Sequence, residues 1–251
     1  MNSGKTKEIQ WQMRVLSLKL REEMGWAMTD PVHLPTILQR KDIQTLLRPL
    51  EDSFSVMALR IRDRKGDIHR FMLVNTAQSY SKQRFTACHE LYHLLFQDDF
   101  EVSSNNAGLY DSSQPEEYKA DIFAAQLLLP EAGLRTLIPY QETKKDSIRL
   151  ETVVRIEQNY QCSRATVLRS LKDLQLISSD RYNQYAVHVI RSAADLGYDL
   201  SLYRPTNKRQ LLGDYNLKAR ELLNSGRISW ARYQELLDDM GMEREVEDDG
   251  E

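Results

Sequence analysis

Apolar residues recur at helical spacing in KEIQWQMRVLSLKLREEMGWAM (7–28), with Trp11, Val15, Leu18 and Met24 on one face, and this predicts an N-terminal helix. A second helix is expected through LPTILQRKDIQTLLRPL (34–50), after the break at Asp30-Pro31. From 53 to 75 the period shortens to that of strands: SFSVMALRIRD and IHRFMLVNT flank the Gly-containing turn RKGD, which reads as a hairpin. A polar stretch, AQSYSKQ, then leads into a helix through RFTACHELYHLLF. The segment QDDFEVSSNNAGLYDSSQ (97–114) has little pattern and is long for a connection in a compact domain. SQPEEYKADIFAAQLLLP (113–130) opens on the capping-box pair Ser113 and Glu116 and closes at Pro130. Helical patterning resumes beyond it, with a turn at Gln161-Cys162-Ser163 and a last packed helix after Gly226 carrying Ile228, Tyr233, Leu236 and Leu237.

Composition narrows the class. With 251 residues, 41% of them hydrophobic, the chain can build one large core or two small ones. It has no apolar run of membrane-spanning length and no apolar leader at its N-terminus, so the expected location is the cytoplasm. Two cysteines, Cys88 and Cys162, do not make a disulfide framework and are expected as reduced thiols. The net charge of −3 conceals an acidic C-terminus: EREVEDDGE carries six acids and one base, leaving the remainder at about +2. A body so close to neutral is not that of a chain coated in nucleic acid.

The chemistry lies in HELYH. His89 and His93 stand four apart, so on a helix both imidazoles leave the same face and can share a metal. Glu90 sits about 100° further round, beside the metal rather than on it, where it can take a proton from water. A catalytic zinc site uses three protein ligands. The best candidate for the third is Glu117, four residues before Asp121 on a helix whose other face, Ala120, Phe123, Ala124 and Leu127, has core character. Asp121 would accept the spare N–H of a ligand histidine. Taken alone, Glu117 and Asp121 would be an acidic helix start favoured by the dipole; beside HELYH they complete a site. His33, His69 and His188 lack comparable partners, and Cys88 points off the metal face. Tyr110 and Tyr118 are near enough in sequence to be weighed as oxyanion donors, but no spacing singles them out.

These motifs resemble the ImmA/IrrE family of zinc metallopeptidases. RFTACHELYHLLF, preceded by the strand FMLVN and followed by EYKADIFAAQLLLP, matches the family pattern over residues 53–130, and more weakly over 7–52 and 147–178. The resemblance implies Zn2+ held by His89, His93 and Glu117, with Glu90 as general base. It implies a protein substrate, a helix-turn-helix repressor often encoded nearby, whose cleavage releases mobile-element or stress-response genes. Tyr92 departs from the pattern, which commonly has a small residue there. In zincins the substrate backbone commonly pairs with a sheet edge, for which the hairpin at 54–74 is the expected provider.

Residues 148–177 read as helix, turn and a second helix capped by Ser163, with Val153, Ile156, Val167, Leu168, Leu171 and Leu174 as core. Arg164, Thr166, Arg169 and Lys172 are expected along the exposed side of the second helix, the layout of a recognition helix. From Asp146 to Tyr182 the net charge is only +1, from six bases and five acids, a thin footprint for DNA binding; the family resemblance implies instead a segment that holds the protein substrate or a partner, or only packs on the core. The expected fold is α+β: a zincin-like metallopeptidase domain over 1–140 with a small, mainly antiparallel sheet and two metal-site helices, a helical region over 141–240 with the helix-turn-helix-like segment, and an acidic tail over 241–251 expected to be disordered. The rivals to an endopeptidase are a non-catalytic regulator binding DNA or a partner, against which an intact Glu90 argues, and a toxin-antitoxin component acting by binding, which a stable, uncut partner would support.

Overall fold

The computed structural model describes residues 3–51, 53–105, 108, 110–111 and 113–239; the acidic tail lies outside the described residues. Helix α1 (Ser3–Met24) opens the chain. It buries Ile9, Met13, Leu20 and Met24, whereas Trp11 is 65% exposed. The expected face is thus displaced by one step around the helix, because α1 lies along α4 (Pro115–Leu128) on the stripe that includes Ser17 and Arg21. Arg21 is fully buried and donates to the carbonyls of Leu127, Ala27 and Asp30, closing the last turn of α1 onto α4.

The helix expected over 34–50 stops early. Helix α2 (Leu34–Arg40) ends before Asp42, whose φ of +50° leaves the helical region, and Ile43–Arg48 continue as strand β1. Short apolar runs suit either period, and here pairing with a distant strand decides. β1 runs parallel to β3 (Ile68–Asn75), with Thr45 opposite Met72 and Leu46 opposite Leu73. The hairpin is as expected: β2 (Val56–Arg62) pairs antiparallel with β3, and Gly66 takes the left-handed turn position at φ +93°.

Helix α3 (Tyr80–Phe96) follows, then the short strand β4 (Val102–Asn105) and α4. The expected capping box is not formed. Gln114 is the N-cap, Pro115 supplies the first helical residue, and the Ser113 hydroxyl instead donates to Asp111. Beyond α4 come α5 (Glu131–Leu137), α6 (Leu150–Tyr160), α7 (Arg164–Asp173), α8 (Ser179–Tyr185) and α9 (Val189–Asp195), then strand β5 (Gln210–Leu212) and the pair α10 (Tyr215–Asn224) and α11 (Trp230–Asp239).

The sheet order is β4-β2-β3-β1-β5. All pairs are antiparallel except β1 with β3, so the sheet is mainly antiparallel, as expected, with one parallel pair. The hairpin strands lie inside it, and the margin nearest α3 and α4 in sequence is β4. One core joins Ile9 to Tyr185 without a break at residue 140. Ala219, Tyr233 and Leu237 form a separate small cluster, with Ile228 and Leu236 packed on it. Among the described residues no helix is long and apolar enough to cross a membrane.

Asn75 places α3 on this sheet. It is fully buried at the end of β3, and its Oδ1 accepts from the N–H groups of Leu50 and Ala77 at 2.8 and 2.9 Å. Its Nδ2 donates to the carbonyls of Glu51 and Phe54 at 2.9 and 2.7 Å. The amide therefore ties the loop before β2 to the turn that starts α3. Asn75→Ala strands these four backbone groups and should cost about 3 kcal/mol, read as a lower midpoint of urea denaturation.

Candidate metal centre

Helix α3 carries the two histidines from inside the core. Cys88, Leu91 and Leu94 are fully buried on one side and Leu95 packs partly, while His89 and His93 turn toward α4. Across the interface Ala120, Phe123, Ala124 and Leu127 are fully buried, and Phe123 meets Tyr92 and Phe96 at ring separations of 6.0 and 5.2 Å. Small residues let the helices approach and aromatic rings fill the rest, which fixes Glu117 in the first turn of α4 opposite the histidines.

The distances follow from that packing. Nε2 of His89 lies 3.0 Å from Glu117 Oε2 and 3.2 Å from Nε2 of His93, and His93 Nε2 lies 3.5 Å from Glu117 Oε1. One ligand atom from each of the three residues falls within 4.8 Å of the others. Both imidazoles are almost sealed, whereas the Glu117 side chain is 26% exposed, so the centre opens toward solvent on the carboxylate side.

The outer ring nitrogens fix the tautomers. His89 Nδ1–H donates to Asp121 Oδ1 at 2.8 Å, and His93 Nδ1–H to Gln97 Oε1. With both Nδ1 atoms protonated, each Nε2 presents a bare lone pair. Two lone pairs and a carboxylate then face one another with no donor among them, an arrangement that calls for a cation. Two imidazoles and a carboxylate are also the donor set of a catalytic zinc site, so the residues fit the ion. Burial would depress the His89 pKa, but hydrogen bonds to Asp121 and Glu117 and the nearby charge of Glu90 raise it to about 9. His93 is lowered by burial and by His89. Glu90 is fully buried, close enough to act on His89 electrostatically.

Asp121 is itself held. Besides His89 it accepts from the backbone N–H groups of Gly108 at 2.8 Å and Tyr110 at 2.6 Å. The patternless segment after α3 thus supplies donors to the site. Three further contributors carry no motif. Gln97 stands four residues after His93, where helical spacing alone could have singled it out. Phe100 stacks on His93 with centroids 5.4 Å apart, a contact without any sequence signal. Tyr92, the departure from the family pattern, donates to Glu116 at 2.7 Å beside the Glu117 carboxylate. Cys88 is no ligand candidate: burial pushes its thiol up to about 12.

The expected recognition surface on α7 is not formed. Arg164 is 3% exposed and pairs with the buried Glu157, also donating to the Tyr185 carbonyl at 2.9 Å. Thr166 is buried, Arg169 covers the Tyr110 ring, and Lys172 alone of the four is exposed. Ser163 caps α7 as expected, accepting from the Thr166 N–H. At the centre itself, Asp121→Asn keeps the shape but weakens the acceptor of His89; it should reduce affinity for a divalent metal by about 10–100-fold, measured by competition with a chromophoric chelator.

Comparison with known proteins agrees with this geometry. The profile of a peptidase family described as the IrrE N-terminal-like domain matches residues 38–172, more than half of the 251-residue chain. No curated protein is found to match the chain. The matched span contains the sheet from β1 to β4, both helices of the centre and the α6–α7 pair. The chain belongs to the IrrE N-terminal-like family of metallopeptidases.

Proposed function

We propose that the protein is a zinc endopeptidase of narrow specificity, acting in the cytoplasm, with His89, His93 and Glu117 as ligands and Glu90 as general base. The observation that carries this reading is the convergence of two bare imidazole nitrogens and a carboxylate, with Glu90 buried one residue from the first of them. Zinc held there would supply an acidified water and a polarised substrate carbonyl. Glu90 accepts a proton from the attacking water and delivers it to the amide nitrogen as the C–N bond breaks. Asp121 and Gln97 keep the proton on each Nδ1, so both Nε2 lone pairs remain available throughout.

A substrate strand has a place to lie. β4 is a marginal strand, and among the described residues no strand lies beyond it, so an extended peptide can add there. This moves the docking edge from the hairpin strands to the strand between the two site helices. The substrate class rests on the family: a helix-turn-helix repressor encoded nearby, whose cleavage would release mobile-element or stress-response genes. The rival regulator that reads DNA through α7 has little support, since two of its four supposed contacts are buried.

Incubating the purified chain with the helix-turn-helix protein encoded beside it should produce two fragments by mass spectrometry, and a chelator should prevent their appearance. Glu90→Gln should retain one zinc per chain and lose at least about 10²-fold in cleavage rate. Undiminished cleavage by that variant would sink the assignment of Glu90.

A further inference from the structure

Arg169 belongs to α7, yet its contact is with the approach to the metal centre. Its guanidinium carbon lies 3.7 Å from the centroid of the Tyr110 ring, and that ring also packs on Phe85 of α3 at 6.3 Å. Tyr110 needs such support. Its φ of +51° puts a bulky side chain in the left-handed region, a conformation that persists only where the surroundings enforce it. Packing does not enforce it from every side, because a cavity of about 310 Å³ lined by Tyr110, Arg169, Trp11 and Asp173 opens beside the stack.

The consequence is carried inward by hydrogen bonds. The Tyr110 N–H donates to Asp121 Oδ2 at 2.6 Å, and Asp121 Oδ1 accepts from His89 Nδ1 at 2.8 Å. We propose that Arg169 is a positioning residue of the metal centre: by holding the Tyr110 ring it seats the Tyr110 N–H on Asp121, and so sets the tautomer and aim of His89. This inference rests on the reading of His89, His93 and Glu117 as metal ligands. A flat guanidinium suits the face of a tyrosine ring better than an ammonium or a thioether, which explains an arginine here. Asp173, one turn along α7, lies close enough to interact with Arg169 electrostatically.

The test compares zinc dissociation constants, from competition with a chromophoric chelator, for the full chain and for Arg169→Met and Arg169→Lys. Thermal denaturation of each metal-free protein accompanies it. Arg169→Met preserves the stem and removes the guanidinium; it should weaken zinc binding about tenfold, the low end of the range for groups that support a ligand. Arg169→Lys should lose no more than about threefold, since it keeps a cation over the ring. Metal-free melting should fall by no more than about 4 °C in either, and cobalt-loaded Arg169→Met should show an altered visible spectrum. If Arg169→Met does not fold, Tyr110→Leu replaces it with the same expectation. Wild-type zinc affinity in Arg169→Met, or equal losses in the two Arg169 variants, would overturn the inference while leaving the metal reading intact. A wild-type chain that binds no zinc would overturn both.

Discussion

The Asp121 carboxylate is buried between two helices and takes hydrogen bonds from His89, Gly108 and Tyr110 together. A charge removed from water is tolerable only when its lone pairs are occupied. That requirement brings together three parts of the chain that have no covalent reason to meet: the middle of α3, the second turn of α4 and the irregular segment between them. Gly108 and Tyr110 are therefore fixed although they lie outside any helix or strand. Their backbone donors meet the need of the carboxylate, and the carboxylate in turn fixes which nitrogen of His89 faces Glu117.

Much of this centre was legible in the residues because its signals are local. His89 and His93 sit one turn apart, and Glu117 and Asp121 repeat that spacing, so helix geometry alone put each pair on one face. What escaped depends on partners far along the chain. The run IQTLL became a strand because β3 stood ready to pair with it. The burial of α1 turned one step from Trp11 because α4 set the contact. Arg164 looked like a solvent-facing base, but Glu157 and the Tyr185 carbonyl were there to receive it inside. A basic residue on a helix is exposed by default, and only the fold reveals the buried acceptor that reverses this.

Arg84 shows how the helix pair α6–α7 is joined to the peptidase body. It is buried on α3, donating to the Val32 carbonyl at 2.7 Å and the Gln161 carbonyl at 3.0 Å. Gln161 is the left-handed residue that ends α6, so the turn of the helix pair is capped from α3. Val153, Ile156, Val167, Leu168 and Leu171 are fully buried in the same core as Leu91 and Phe123. A layout that resembles a DNA-reading module here packs into the core, with Arg164 and Thr166 turned inward and Lys172 left exposed.

Strand β5 arrives from far down the chain, pairing Leu211 with Leu46 and Leu212 with Thr45. The residues just before it bind the start of α3, with Tyr80 N–H on the Arg204 carbonyl and Asn207 N–H on that of Thr76. These contacts span more than a hundred residues, so a nascent chain must wait for its last third before the sheet is closed. Until then β1 is an open edge carrying Ile43, Leu46 and Leu47, the kind of surface on which chains associate wrongly. A chain ending where the family match ends, at residue 172, would keep His89, His93, Glu117 and Asp121 and still leave β1 without its β5 neighbour.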